Sequence, residues 1–308
     1  MDKIFRPFYR NVYLNTGGFF PSAPLNRKIM PGDFFQLRNG EMVVLGNIFH
    51  NGVIAAADTE FNTGVRLNPS GWHFADGVTK AYSGRGTGEA AVGGEFQFSR
   101  QVLAFGYAGS FYFHGYDPRS VQIKNWSELA PALIVRLTQT MYSFRDVYVV
   151  TETATHSCFT LAVASSNDAE LEMATEAENF GLVDIFGHPE SRTIQSKEIE
   201  YFHRQSTPRP LFCKAKKLTV REDNTGVFLN RLSPQPVYAA GSDSSYPYSE
   251  PGYGPDDFPM MSPYAQESVL EMLQANELNP NTALQYFTWK DASLDDVEKI
   301  FLTYGNTR

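Results

Sequence analysis

One stretch of this chain, residues 233–262, cannot contribute to a folded core. It holds six of the chain's 18 prolines, together with many tyrosines, serines and acidic residues, and it shows neither a helical nor a strand period. A segment of this composition buries too little apolar surface to offset the entropy lost on ordering its backbone. The sequence therefore predicts an exposed linker at 233–262, which separates a large N-terminal body (1–232) from a short C-terminal tail (263–308).

The body and the rest of the chain differ in charge. Residues 1–232 carry 23 Lys and Arg against 23 Asp and Glu, whereas residues 233–308 carry 3 against 11. The whole net charge of −8 therefore lies beyond the body. An asymmetry of this kind indicates two pieces with different roles.

The sequence carries no signal for membrane insertion through a helix or for export. No apolar run approaches the ~18 residues of a spanning helix, and the opening MDKIFRPFYRN lacks the apolar core of a signal peptide. The two cysteines, Cys158 and Cys213, lie in apolar, strand-like runs. We expect reduced thiols and a cytosolic protein.

The spacing of apolar residues predicts an α+β fold, in which helices pack on a mostly antiparallel twisted sheet and a small helical segment follows at the C-terminus. Strands are predicted at 40–49, 51–61, 196–205 and 209–222, and within 95–115 and 146–166. Helices are predicted at 3–14 and 125–144, and 167–187 is helix-prone. The glycine-rich stretch 83–94 is predicted to be a hairpin loop. In the tail, Ser262–Pro263, Pro280 and Ser293 are predicted to open three short helices.

No motif in the sequence indicates catalysis. The glycines of 83–94 match neither a dinucleotide fingerprint nor a phosphate loop, and the six histidines form no HExxH or Cys/His cluster. His156 lies beside Cys158 without a third group to orient it. We expect a protein that is not an enzyme, that needs no cofactor or metal ion, and that does not bind nucleic acid.

The opening stretch KIFRPFYRNVYL (3–14) has the pattern of a basic amphipathic helix. Ile4, Phe8 and Val12 share one face, and Lys3, Arg6 and Arg10 lie on the other. The residues themselves fit either a short docking helix or a helix at a membrane surface.

Two stretches resemble the gasdermins, a family of pore-forming cell-death proteins. FRPFYRNVYLNTGGFFPSAPLNR (5–27) is similar to the family's opening helix and following strand, and DVYVVTET (146–153) is similar to its VVTE strand. The plan of body, cleavable linker and helical tail is also similar. The tail is short, as in the family's fungal and bacterial members.

The resemblance implies an autoinhibited protein that a protease activates by removing the tail. The freed body would bind acidic membranes, oligomerise and form a β-barrel pore that causes cell death. The implied partners are anionic membrane lipids, an activating protease and further copies of the chain. The protein would be cytoplasmic when inactive and on the membrane when activated.

The resemblance also assigns candidate residues. The family's lipid contacts correspond to Lys3, Arg6 and Arg10, and the charge of the strand 209–221 adds Lys214, Lys216 and Lys217. The long alternating stretches 89–113 and 147–165 are candidates for membrane insertion or, alternatively, half-buried strands of a soluble sheet. Their candidate residues are Phe96, Phe98, Val147, Val149, Phe159 and Leu161. The candidates for autoinhibitory docking are Leu294, Val297, Ile300 and Phe301.

Two alternatives from other classes fit the sequence. Residues 268–302 have the length of a ubiquitin-associated-like three-helix module, which would make the protein a soluble non-enzymatic adaptor. The chain could also be a structural subunit of a larger assembly. Removal of the tail separates these classes, because only a pore-forming body would then become toxic and membrane-bound.

Overall fold

The computed structural model describes residues 2–38, 40–89, 95–138, 147–175, 192–221 and 280–302. Within these ranges the chain forms sixteen strands and four α-helices, which confirms the α+β class. The helices are α1 (Arg6–Asn15), α2 (Trp126–Thr138), α3 (Pro280–Tyr286) and α4 (Leu294–Glu298), with short 3-10 helices at Lys3–Phe5, Ala56–Asp58 and Lys299–Phe301. The strands are β1 (Phe20–Pro21), β2 (Asp33–Arg38), β3 (Glu41–Asn47), β4 (Phe61–Arg66), β5 (Trp72–Asp76), β6 (Val78–Glu89), β7 (Glu95–Phe105), β8 (Phe111–Tyr116), β9 (Arg119–Ile123), β10 (Val147–His156), β11 (Cys158–Ala164), β12 (Glu170–Thr175), β13 (Arg192–Lys197), β14 (Ile199–Gln205), β15 (Arg209–Val220) and β16 (Phe287–Asp291).

The strands form three sheets. Sheet A has eight strands in the order β1-β15-β10-β2-β3, with β16 added on β15, β9 on β10 and β4 on β9. Sheet B has the order β14-β11-β8-β5, and sheet C has the order β13-β12-β7-β6. Neighbours such as β8 and β11, β6 and β7, and β7 and β12 pair antiparallel. Among strands that follow each other in the chain, β2 pairs with β3, β6 with β7 and β12 with β13, all antiparallel.

The chain divides into two compact units. The first comprises Met1–Trp126, Tyr148–Lys216 and Asp291–Arg308, and it contains a large cluster of buried rings and aliphatic side chains. The second comprises Ser127–Val147 and Lys217–Lys290. In the second unit Leu133 and Leu137 of α2 are buried, and the indole of Trp289 donates a hydrogen bond of 3.1 Å to the carbonyl of Ala130.

Several predicted elements are confirmed. Helix α1 begins beside Pro7, which lies in its first turn, where a proline costs nothing. Helix α2 occupies most of the predicted 125–144, α3 begins at Pro280, and Ser293 caps α4. The predicted linker at 233–262 and the first predicted tail helix at Ser262–Pro263 lie outside the described residues, so the division into body, linker and tail stays a prediction.

Other predicted elements are wrong in extent or type. Residues 51–60 form turns and a 3-10 helix, and the strand begins only at Phe61. Residues 83–89 of the glycine-rich stretch predicted as a loop continue β6, because β7 pairs with them. The rest of that predicted loop, 90–94, lies outside the described residues. The helix-prone stretch contains β12, in which buried Leu171 and Met173 alternate with glutamates. Alternation thus outweighed the helix propensity of Glu, Met and Ala.

The two long stretches proposed for membrane insertion are each broken. Within the first, 89–113, a turn separates β7 from β8, and Gly109 in this turn has a positive φ of 88°. The second changes sheet at Ser157, with β10 in sheet A and β11 in sheet B. In the tail, Phe287 was expected in a helix but begins β16. Residues 280–302 form a helix, a strand and a helix. The first helix of the predicted three-helix module, before residue 280, lies outside the described residues, so that module stays a prediction.

Candidate functional site

Helix α1 is anchored by its apolar face. Phe8, Tyr9 and Val12 are completely buried, and the ring of Phe8 packs against Phe111 at 5.4 Å and Phe113 at 5.5 Å. The hydroxyl of Tyr9 donates a hydrogen bond of 2.6 Å to the carbonyl of Ser22. This burial leaves the basic face of the helix outward.

The last described residues of the chain pack beside α1. We call residues 291–302 the C-terminal segment. Its side chains Val297, Ile300 and Phe301 are buried in the same apolar cluster as α1, and Phe301 meets the ring of Tyr9 edge-on at 5.2 Å. Leu294, the fourth residue predicted to dock, is half-buried. These contacts bring the predicted docking residues to the predicted membrane-binding helix.

Main-chain and phenolic hydrogen bonds hold the same segment. The amide of Ala292 donates to the carbonyl of Ala215 in β15 at 2.9 Å. The hydroxyl of Tyr13 in α1 donates to the carbonyl of Ala292 at 3.0 Å. Together they fix the point at which the chain leaves β16 and turns towards α4.

One carboxylate of the segment pairs with two cations of α1. Glu298 accepts a hydrogen bond from Arg6 through Oε2 and another, of 3.0 Å, from Arg10 through Oε1. The hydrogen bond from Arg6, more than any other interaction, lowers the pKa of Glu298. Both arginines remain about half exposed, at 54% and 55%. The predicted lipid-binding cations therefore face a carboxylate of the C-terminal segment.

The remaining predicted lipid-binding lysines have different surroundings. Lys3 is exposed at the start of the 3-10 helix that precedes α1. Lys214 pairs with Glu152 at 3.3 Å and lies 4.4 Å from the centre of the Phe19 ring. Lys216 pairs with Asp291 of the C-terminal segment at 2.6 Å.

Lys217 belongs to the second compact unit and is half-buried. It lies on β15, the strand that also carries Lys214 and Lys216.

The residues proposed for membrane insertion lie in two different settings. Val147, Val149, Phe159 and Leu161 are buried in β10 and β11. Phe96 and Phe98 lie on β7 of sheet C, where they pair in register with Gly88 and Gly86 of β6. Only the latter pair lies on a strand of a continuous hairpin.

The sequence analysis missed several polar residues of this site. Tyr148 donates a hydrogen bond of 2.8 Å to the buried carboxylate of Asp296. Asp291 and Glu298 supply the charges that meet Lys216 and the arginines of α1. The charge asymmetry of the sequence could have indicated these residues, because an acidic C-terminal region and a basic helix are expected to attract each other.

Among the described residues, no group of three or more His, Cys, Asp and Glu is placed to hold a metal ion. His156 is buried among aromatic rings, and burial raises the pKa of the Cys213 thiol. In the described part of the chain, no helix has both the length and the apolar character needed to cross a bilayer.

Comparison with known proteins gives only a weak likeness of fold. No family model matches this chain, and no curated protein matches it. Among solved structures, its fold is similar to that of a bacterial gasdermin from Bradyrhizobium tropiciagri, with 11% sequence identity and a TM-score of 0.25. The match covers 66% of this chain and 81% of that one. This is a faint similarity of fold, and no residue's role is taken from it.

Proposed function

We propose that this chain is an autoinhibited pore-forming protein whose α1 binds anionic membrane lipids once the C-terminal segment is displaced. The observation that carries the proposal is the pairing of Glu298 with both Arg6 and Arg10. A carboxylate that bridges two guanidinium groups offsets their charge and accepts one hydrogen bond from each, and a lipid phosphate would interact with the same charge and donors. Lipid and segment would therefore compete for the same cations.

The apolar contacts support the same competition. Val297, Ile300 and Phe301 cover part of the cluster to which α1 belongs. Removal of the segment would expose apolar surface next to two cations, which is the pattern of a helix that lies at a membrane interface. Proteolysis within the predicted linker 233–262 would turn the segment from a tethered element into a separate peptide that can dissociate.

The membrane-spanning part is proposed to come from sheet C. Its strands β6 and β7 are 12 and 11 residues long and form a hairpin, and β12 pairs with β7. A strand that spans a bilayer needs ~9–11 residues, and only a closed barrel leaves no unpaired edge in the membrane. Several freed bodies would have to assemble to close such a barrel. Phe96 and Phe98 are the proposed inserting residues that lie on this sheet.

The test is controlled cutting of the full-length protein. A recognition sequence for a site-specific protease is placed within residues 233–262, and dye-loaded vesicles are added before and after cutting. We expect leakage only after cutting, and only from vesicles that contain an anionic lipid such as phosphatidylserine. If the cut protein leaves both anionic and neutral vesicles intact, the proposal fails and the adaptor or subunit alternatives take its place.

A further inference from the structure

His156 occupies the place where the chain passes from sheet A to sheet B. It is the last residue of β10, and β11 begins two residues later at Cys158. Its side chain is 1% exposed. Four rings surround the imidazole, with centroid distances of 4.7 Å to Trp72, 5.6 Å to Phe113, 6.3 Å to Phe159 and 5.1 Å to Phe212.

The imidazole fits this place only in its neutral form. Neither Nδ1 nor Nε2 has a hydrogen-bond partner within the described part of the chain. A Cβ atom on Gly115 would lie 2.4 Å from Cδ2 of His156, so the ring rests on the one residue of β8 that has no side chain. On the side of Gly115 the ring is therefore in close contact with the backbone of β8.

Burial and a neighbouring histidine both oppose protonation. Burial is the larger cause and the charge of His114 the second, and together they lower the pKa of His156 from 6.5 to about 3. An open or unfolded chain would protonate the same ring near pH 6.5. Between these two values the open states bind more protons than the folded state, so stability falls as the pH falls.

Other titratable groups on the surrounding strands do not offset this effect. His73 on β5 stacks against His114 on β8, with 5.0 Å between the ring centroids. His203 on β14 lies 5.5 Å from the ring of Phe159. Glu152, on the same strand as His156, pairs with Lys214.

Cation–π attraction from the surrounding rings is too weak to change the sign. It is a modest attraction even when the cation lies over the face of a ring. The rings of Trp72, Phe113 and Phe212 meet the imidazole at angles of 68° to 83°, as edge-to-face contacts. Desolvation of an unpaired charge costs several kcal/mol.

We propose that His156 makes the junction of sheets A and B acid-sensitive, so that mild acid raises the population of states in which the layer under α1 is open, without any cut in the chain. The ring of Phe113 is in contact with both His156 and Phe8 of α1. Trp72 is in contact with His156 and with Phe19, which follows the helix. Hydration of the imidazole therefore disturbs the support of α1 directly. This proposal does not depend on the proposed pore-forming function.

The test compares the pH dependence of unfolding in the full-length protein and in His156→Leu, an apolar change of similar volume. Between pH 7.5 and pH 5.0, His156 alone should raise the unfolding equilibrium constant about 30-fold, because protons bind the open state. The His156→Leu variant should lack this factor, whereas His50→Leu, in the turn after β3, should retain it. An unchanged pH dependence in His156→Leu overturns the proposal.

A second measurement needs no variant and decides the matter if His156→Leu does not fold. The imidazole resonances of the unaltered protein are followed by NMR from pH 7.5 to pH 5.0. The signal of His156 should stay that of a neutral ring over the whole range, while exposed imidazoles titrate. A His156 signal that titrates near pH 6 would show that the folded protein accommodates the charge, and the proposal would be abandoned.

Discussion

The phenol of Tyr148 in β10 donates a hydrogen bond of 2.8 Å to Oδ1 of Asp296 in α4, and both side chains are buried. The other carboxylate oxygen, Oδ2, accepts hydrogen bonds of 2.9 Å from both the amide and the hydroxyl of Ser293. One carboxylate thus starts α4 through a capping box and also ties it to sheet A. The C-terminal segment is therefore attached by specific polar contacts as well as by apolar burial.

Replacement of Tyr148 by Phe should loosen the C-terminal segment. The ring of Tyr148 stacks on Phe35 at 5.2 Å, and Phe keeps that contact while it removes the hydroxyl. Since Asp296 then loses a buried donor, we expect a loss of about 1–3 kcal/mol in the free energy of unfolding. Urea denaturation measures it, and amide exchange should quicken within 294–301.

The matched control is Tyr13→Phe, which also removes a single hydroxyl facing the segment. Tyr13 is only half-buried and bonds a neutral carbonyl, that of Ala292, so the expected loss is smaller, about 0.5–1.5 kcal/mol. Equal effects of the two changes would mean that the carboxylate of Asp296 is hydrated rather than buried.

Truncation of Phe301 should remove the main apolar contact of the segment. The side chain is 5% exposed and meets Tyr9 edge-on, so Phe301→Ala should cost about 3–5 kcal/mol. The neighbouring Leu302 is 55% exposed, and Leu302→Ala should change stability by less than about 0.5 kcal/mol. Thermal or urea unfolding of the two variants measures the difference. Similar values for both would show that the segment does not dock through Phe301.

The local elements of this fold could be predicted from the sequence where one signal dominates. Helix α1 follows from the four-residue spacing of Phe8 and Val12, and α4 follows from Ser293, whose capping role needs only local residues. Strand β12 was mistaken for helix because its glutamates and Met173 favour helices. Its pairing with β7 is a contact between distant parts of the chain, and propensity does not report such contacts.

The candidate site could be predicted only in part for the same reason. The basic face of α1 and the apolar residues of the C-terminal segment are visible as patterns in the sequence. Their meeting is not, because Glu298 lies 288 residues after Arg10 in the chain. The stretch 147–165 looked like one amphipathic unit, yet Val149 and Phe159 belong to different sheets. Both features depend on contacts between distant parts of the chain, which only the tertiary structure shows.

Acid should weaken the pairing of Glu298 with α1, but only at low pH. The arginines lower the pKa of this carboxyl below its ordinary value of 4.5, the hydrogen bond from Arg6 most of all. A lowered pKa means that the pairing is fully present above pH 4.5 and is lost as the pH falls through the lowered value. In the Glu298→Gln variant, the free energy of unfolding should therefore depend less on pH below pH 4.5. Its pH dependence between pH 5.0 and pH 7.5 should be unchanged.

Denaturation of the unaltered protein and of Glu298→Gln across both pH ranges measures this separation. In the same series, His156→Leu should alter the pH dependence of the free energy of unfolding between pH 5.0 and pH 7.5 and leave it unchanged below pH 4.5. If Glu298→Gln altered the range above pH 5.0, the carboxyl would be raised rather than lowered in pKa, and the ion pairs with Arg6 and Arg10 would not form in solution.

The exchange of Glu298 for Gln should also strengthen binding of the uncut protein to anionic vesicles. Gln keeps the size of the side chain but leaves the charges of Arg6 and Arg10 without a carboxylate. Each surface cation contributes about 1 kcal/mol of attraction to an anionic membrane, so two freed cations should raise the affinity by up to about 30-fold. Sedimentation with phosphatidylserine-containing vesicles measures the change.

The control for this experiment is Glu60→Gln, because Glu60 pairs with Lys124 at 2.9 Å in another exposed ion pair of the first unit. Both changes remove one surface carboxylate, so a general effect of net charge would appear equally in each. We expect the larger gain for Glu298→Gln, and we expect high salt to reduce it, since the Debye length falls to about 3 Å at 1 M. Equal increases in vesicle affinity for the two variants would mean that α1 does not bind lipid. The pairing of Glu298 with Arg6 and Arg10 would then have a structural role only.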